Sequence, residues 1–224
     1  DDAEKFSKFS QYTMVAVFNP TESGIPTAIV NYAGTIYAAN GLNSRGIFLE
    51  LNSGNFQGYF LERPSIFVTL FSFLLSSSTQ DEINTAFQSV LANISSIVNV
   101  ADENVAYSFE CPVTGCLRRN YDVPGLLVST NHFLHPSWGI PLPPPTDDSS
   151  VRRNNLLAMA AAQKGLIDVD CMKEILDTYI DQGGATNNGT IFQIIAVPRD
   201  LEMWLKAPGN FDWQKINLSS LFLY

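Results

Sequence analysis

The sequence predicts an α+β protein: a four-layer αββα sandwich in which two stacked, mainly antiparallel sheets lie between helical layers. Three observations predict it. β-rich runs and helical runs come in blocks, as strands, two helices, strands, two helices and strands, instead of alternating one by one. No low-complexity linker or solenoid-length repeat divides the 224 residues, so residues 1–224 read as a single domain, with two separate α+β domains as the alternative. A content of 46% hydrophobic and 16% charged residues is enough to bury a large core.

The elements follow in order. Tyr12 to Phe18 and Thr27 to Tyr32 are β-rich runs joined through Pro20-Thr21-Glu22-Ser23-Gly24, a hairpin. A third run covers Thr35 to Ala39, Asn40 to Gly46 is a tight polar turn, and Ile47 to Leu51 is the fourth strand. After Pro64, Ser65 caps a helix whose Phe67, Leu70, Phe71, Leu74 and Leu75 recur at helical spacing. Thr79-Gln80-Asp81-Glu82 has the form of a capping box and opens a second helix running to about Asn93. Strands return at Val105 to Glu110, Cys116 to Asn120 and Leu126 to Thr130. The four prolines within Pro141 to Pro145 demand an extended loop. Asp147 to Ser150 cap a third helix, Asp168 to Ile180 is a fourth, and Thr190 to Val197 and Leu201 to Lys206 close the chain as strands.

Composition excludes several functions. With 22 acidic against 13 basic residues and a net charge of -9, the surface repels phosphate backbones, so no nucleic-acid partner is expected. The longest apolar stretch, Ile66 to Leu75, is broken by Thr69 and Ser72 and is too short to span a membrane. Three cysteines cannot build a disulfide framework or a four-cysteine zinc site. Cys111 and Cys116 flank the turn Pro112-Val113-Thr114-Gly115, which allows either a cross-strand disulfide or two free thiols. His132 and His135 stand three apart in a loop, which is poor metal-ligand spacing, and no cofactor is expected. Sequons at Asn93, Asn188 and Asn217 are compatible with secretion, although such triplets often arise by chance, and a secreted, periplasmic or lysosomal-type compartment is slightly favoured over the cytoplasm.

Four segments recur together and in order: Ala39-Asn40-Gly41-Leu42-Asn43-Ser44-Arg45-Gly46-Ile47 with Leu51-Asn52-Ser53; Ser129-Thr130-Asn131-His132-Phe133; Ser149-Ser150-Val151-Arg152; and Thr190-Ile191-Phe192 with Leu201 to Lys206. Together they resemble the linear-amide hydrolases and acyltransferases of the N-terminal-nucleophile superfamily, which include choloylglycine hydrolase, penicillin V acylase, acid ceramidase-like amidases and the isopenicillin N acyltransferase group. Thr-Asn-His-Phe brings the acyltransferase-like branch nearest. The resemblance runs from about Tyr12 to the C-terminus and implies the αββα fold already read from the element order.

It further implies a Cys exposed at the mature N-terminus, followed by an Arg-Asn-x-Asp segment. This sequence begins Asp1-Asp2-Ala3-Glu4, while Arg119-Asn120-Tyr121-Asp122 carries the right letters in the wrong place and reads as coincidence. The expectation is that the nucleophile strand precedes Asp1 or belongs to a separate N-terminal peptide completing the sheet, with Asp1 or Asp2 as the Asp of that segment. A relative lacking the nucleophile, acting as a ligand-binding or interaction protein, is the alternative.

Amide hydrolysis needs a nucleophile, a base, and donors aimed at the oxyanion. By resemblance Asn52 is the oxyanion donor, Asn131 orients nucleophile or substrate, and Arg152 is the active-site cation. On the residues alone, both Asn are turn formers at strand ends, and Arg152 is a helix-start residue with Arg153 as its neighbour and competitor. His132, Phe133 and Trp138 are assigned to the substrate side. His132 packs behind Asn131, and the aromatics with the Pro141 to Pro145 loop suit an acyl chain; ordinary packing explains them equally. Cys111, Cys116 and Cys171 are internal and lack the α-amine that the mechanism uses as its base. The partner expected is a small-molecule amide or acyl substrate, and a homo-oligomer is compatible with the composition.

Overall fold

The computed structural model describes residues 8–35, 37 and 39–223. Beyond the helical residues 8–10, these elements follow in chain order: β1 (Thr13–Phe18), β2 (Thr27–Tyr32), β3 (Asn40–Asn43), β4 (Phe48–Ser53), α1 (Ile66–Ser76), α2 (Gln80–Phe87), β5 (Ser96–Ala101), β6 (Ala106–Cys111), β7 (Leu117–Arg119), α3 (Asp148–Ala162), α4 (Val169–Asp177), β8 (Gln193–Val197), β9 (Glu202–Ala207) and β10 (Phe211–Asn217). β1 to β7 form one sheet in sequence order, antiparallel throughout, and β10-β9-β8 form the second.

Strand alternation decides what each face of the large sheet meets. Ile29, Leu49, Val98, Val100 and Phe109 point to one side, where Ile66, Leu70 and Leu74 of α1 and Ile83 and Phe87 of α2 cover them. The Phe87 and Phe109 rings stack with centroids 4.1 Å apart. Ala28, Val30 and Leu42 point to the other side and pack on Met203 and Leu205 of the small sheet. α4 covers the outer face of the small sheet, where Gln193 Nε2 at the start of β8 donates to the Leu176 carbonyl at 2.5 Å. Leu156, Leu157 and Ala160 of α3 close on Leu126 and Val128. The layer order is therefore α, β, β, α, as the element blocks predict.

The capping box at Thr79 forms as expected, with Glu82 N donating to the Thr79 side chain and Glu82 Oε2 accepting from the Thr79 backbone. Several boundaries differ from the sequence reading. The segment Asn40 to Asn43 is a buried strand instead of a turn. Its Gly41 is needed there because a Cβ would stand 2.8 Å from the Ala28 backbone oxygen of β2, which cannot give way, and 2.7 Å from Leu74 Cδ1 of α1. Asn43 ties the same strand to α1, donating from Nδ2 to the carbonyls of Leu74 and Ser77. Of the expected strand Thr35 to Ala39, residues Ile36 and Ala38 lie outside the described residues, and Thr35, Tyr37 and Ala39 are not in a strand. α2 ends at Phe87 and not near Asn93, and the residues that follow lead into β5, which the helical spacing of Val90 and Leu91 conceals. Leu126 to Thr130 is not a strand; it makes a single bridge, Val123 to Leu126. β10 is a further strand that the sequence reading lacks.

Cys111 and Cys116 are joined as a disulfide, with Cα atoms 4.1 Å apart, and Cys171 is free. No described helix is long and apolar enough to cross a membrane. Among the described residues, no group of three His, Cys, Asp or Glu side chains is placed to hold a metal ion.

Candidate active site

The same alternation that sends Leu49, Leu51, Val98 and Val100 toward α1 and α2 turns Phe48, Glu50, Asn52 and Asn99 toward the small sheet. Glu50 on β4 and Asn99 on β5 are directly opposed across the strands. There the two sheets part around a cavity of about 390 Å³, walled by Glu50, Asn52, Asn99, Thr130, Arg152 and Phe192 among others. A second cavity of about 220 Å³, walled by Leu126, Val128, Leu156, Ala160 and Ile175, adjoins it. Asn99, Ser129, Leu156 and Leu176 are walls of both, so a polar chamber opens into an apolar one.

Of the three residues singled out for chemistry, Asn52 and Arg152 wall the larger cavity, and Asn131, which is not one of its walls, is joined to both neighbourhoods by hydrogen bonds. Asn52 is the penultimate residue of β4, and its Nδ2 donates to Glu50 Oε2 at 3.2 Å. Asn131 Nδ2 donates to the carbonyl of Ser53, the residue after Asn52, at 3.0 Å. Arg152 Nη2 donates to Asn131 Oδ1 at 2.7 Å, and its Nε pairs with Asp148 at 2.7 Å. Because α3 starts at Asp148, Arg152 stands in its second turn and not its first, and the pair with Asp148 one turn earlier offsets the helix dipole. Arg153 turns instead to Asp122.

The residues assigned to substrate lie elsewhere. His132 is buried, with Nδ1 2.7 Å from Ser149 Oγ, and that same hydroxyl accepts from Asn131 N at 2.8 Å. Burial, then the nearby Arg153 charge, holds the His132 pKa below its ordinary value, so the ring is a neutral wedge behind Asn131. Phe133 sits on Gly54, where a Cβ would come within 2.5 Å of its ring. Trp138 belongs to a 3-10 turn, Pro136–Trp138, and does not line the cavity. The apolar chamber is built by Leu126, Leu156 and Ile175, and no residue of the proline loop is among its walls.

Sequence reasoning missed two groups. Glu50, two residues before Asn52, shares its face by strand period, a signal that could have found it. The second is the polar cluster that delivers Asn131. Arg119 pairs with buried Glu110 at 3.2 Å and with Asp122 at 3.0 Å, and donates to the Val128 carbonyl at 2.9 Å. Asp122 accepts from Val128 N at 2.7 Å, and Glu110 accepts from the backbone of Leu134 and His135 at 2.8 Å each. The Arg-Asn-Tyr-Asp letters at 119–122 therefore serve the fold, holding the irregular segment that a strand ladder does not.

A larger hollow of about 460 Å³, beside Ser44, Gln80 and Arg199, has no convergent strand-end amides. Burial drives the Glu50 pKa up to about 7, against the opposing pull of hydrogen bonds from Asn99 and Asn52. A carboxyl poised in this way beside two amides and a guanidinium suits a site where charge develops on a substrate oxygen.

No family model matches the sequence, and no curated protein is found as a relative. Solved structures do match. A Caenorhabditis elegans N-acylethanolamine-hydrolyzing acid amidase ortholog aligns over 85% of this chain and 82% of its own, with TM-score 0.64 and 18% identity. A mutant of conjugated bile acid hydrolase from Clostridium perfringens aligns over 93% and 85%, with TM-score 0.65 and 12% identity. Penicillin V acylase from Agrobacterium tumefaciens aligns over 93% and 79%, with TM-score 0.64 and 14% identity. The chain shares the αββα fold of these solved structures, and a bile acid hydrolase and a penicillin V acylase are among the enzymes that the motif order resembles.

Proposed function

We propose that the chain is the body of an amidase or acyltransferase that acts on a linear carbon-nitrogen amide through an N-terminal Cys supplied by a segment outside these 224 residues. The observation that carries the reading is that Asn52 on β4 and Arg152 on α3 wall one polar chamber that opens into an apolar one, while Asn131 is bonded to Arg152 and to the Ser53 carbonyl next to Asn52.

The Cys thiolate attacks the amide carbon, a C–S bond forms, and the carbonyl electron pair moves to oxygen. Asn52 Nδ2 donates to that oxyanion. Arg152 and the Ser53 carbonyl hold Asn131 so that its amide orients the nucleophile or substrate. The terminal α-amine, with a pKa of about 7.7–8.0, takes the thiol proton and returns it to the departing nitrogen as the C–N bond breaks. Water, or an acceptor amine, then attacks the thioester and releases the acyl group. The acyl chain occupies the chamber between Leu126, Leu156 and Ile175.

The test uses the natural, fully processed protein. Intact mass and terminal sequencing reveal an N-terminal Cys, N-acyl amides of increasing chain length release their acids, and a thioester adduct of the acyl mass accumulates on that Cys. A protein with no such Cys that binds acyl amides without cleaving them would be a ligand-binding relative on the same fold.

A further inference from the structure

We propose that Glu50 is the positioning residue for Asn52: its carboxylate takes one amide hydrogen of Asn52, fixes which way that amide faces, and leaves the second hydrogen for the reacting carbonyl oxygen. The inference rests on the reading of Asn52 as oxyanion donor and assigns a residue that reading did not include. Asn52 Nδ2 donates to Glu50 Oε2 at 3.2 Å, and Asn99 Nδ2, from the opposed position on β5, donates to the same oxygen at 2.5 Å. Glu50 thus braces two amides from adjacent strands, and a carboxylate can only accept, so both nitrogens must turn toward it.

Protonation would undo the brace. The neutral acid gains a donor, and Asn99 Oδ1, buried and without a hydrogen-bond partner among the described residues, accepts it once the Asn99 amide, whose nitrogen now faces Glu50, turns over. The same proton would favour Asn52 with its Oδ1 turned to Glu50, which sets an acceptor where the oxyanion needs a donor. The groups that share the cavity wall with Glu50 are Asn40 on β3, Asn52 on β4, Asn99 on β5, Arg152 on α3 and Gln193 on β8; among the described lining residues Arg152 is the other charged one. Burial is the main cause that lifts the Glu50 pKa to about 7, so the switch falls in a working pH range. The competent form is the carboxylate, present above that pH and lost as pH falls through it.

The test compares Glu50→Gln, Glu50→Ala, Asn52→Ala and the double variant Glu50→Ala/Asn52→Ala in the processed, Cys-bearing enzyme. Gln keeps an accepting oxygen without the titration, so E50Q should hold kcat at pH 8.5 within about threefold and show one fewer protonation on the acid limb. E50A should lower kcat by about 10- to 100-fold with KM nearly unchanged, and should add less than about twofold to N52A, because it acts through the same donor. An E50Q profile matching wild type while N52A remains slow would overturn the inference and leave the reading of Asn52 standing. If N52A is unimpaired, the parent reading falls and side-chain amide NMR decides for Glu50 alone. Asn52 and Asn99 signals that titrate near pH 7 in wild type and not in E50Q support the brace; signals that do not titrate overturn it.

Discussion

The two faces of β4 and β5 carry opposite kinds of residue. On the helical side Leu49, Leu51, Val98 and Val100 join a dry cluster sealed by Ile66, Leu70 and Leu74 of α1, all three fully buried. On the inter-sheet side, one residue along each strand, Glu50, Asn52 and Asn99 line a chamber whose carboxyl has its pKa lifted by burial to about 7. The same strands therefore carry an apolar core face on one side and the polar groups of the candidate site on the other, and a slip of one residue in register would exchange them.

The contrast can be broken from either side. The largest effect expected is Phe87→Ala, which opens a hole beneath the Phe109 ring and should destabilise the fold by about 3–5 kcal/mol in denaturant titration while leaving turnover per folded molecule unchanged. Asn52→Ala should do the reverse: turnover falls by about 100- to 1000-fold and the melting temperature hardly moves. The smallest effect concerns the standing cost of the polar face. The Glu50 pKa is raised in the fold, from 4.5 to about 7, so the folded state binds this proton more tightly than the unfolded chain. Its contribution favours folding below about 4.5 and is lost as pH rises to about 7, by about 3 kcal/mol at most. Glu50→Gln lacks that slope, and thermal melts should show the variant gaining on wild type across this window and holding its lead above it.

How much of this is legible in the sequence depends on which force places each residue. The start of α1, the Thr79 capping box and the β1–β2 hairpin are local, and their signals suffice because neighbours in the chain decide them. Asn40-Gly41-Leu42-Asn43 has turn letters, yet Gly41 serves the close approach of α1 and Asn43 bonds to the end of that helix, partners some thirty residues away that no local pattern encodes. β5 is hidden because a central strand buried on both faces gives no clean alternation. β10 mixes Phe211, Trp213 and Lys215 on an edge strand whose apolar content is low, although Pro208-Gly209-Asn210 signals the turn before it. In the candidate site, Asn52, Asn131 and Arg152 are singled out through motif order, and the structure links Asn131 to Arg152 and to Ser53 beside Asn52. Glu50 is not singled out, since a single acidic residue within an apolar strand acquires meaning only once Asn99 faces it from the next strand. His132 and Phe133 draw notice beside Asn131 but serve it from behind, as a neutral ring on Ser149 and a plate over Gly54.

The central claim is that one end of the inter-sheet space is where an amide reacts. The most direct measurement is a crystal structure of the processed protein, its N-terminal Cys replaced by Ala, with an uncleaved N-acyl amide. The account predicts the amide carbonyl oxygen at about 2.7–3.1 Å from Asn52 Nδ2, with the acyl chain between Leu126, Leu156 and Ile175. A substrate bound in the hollow beside Ser44 and Arg199, with the Asn52 chamber empty, would contradict it.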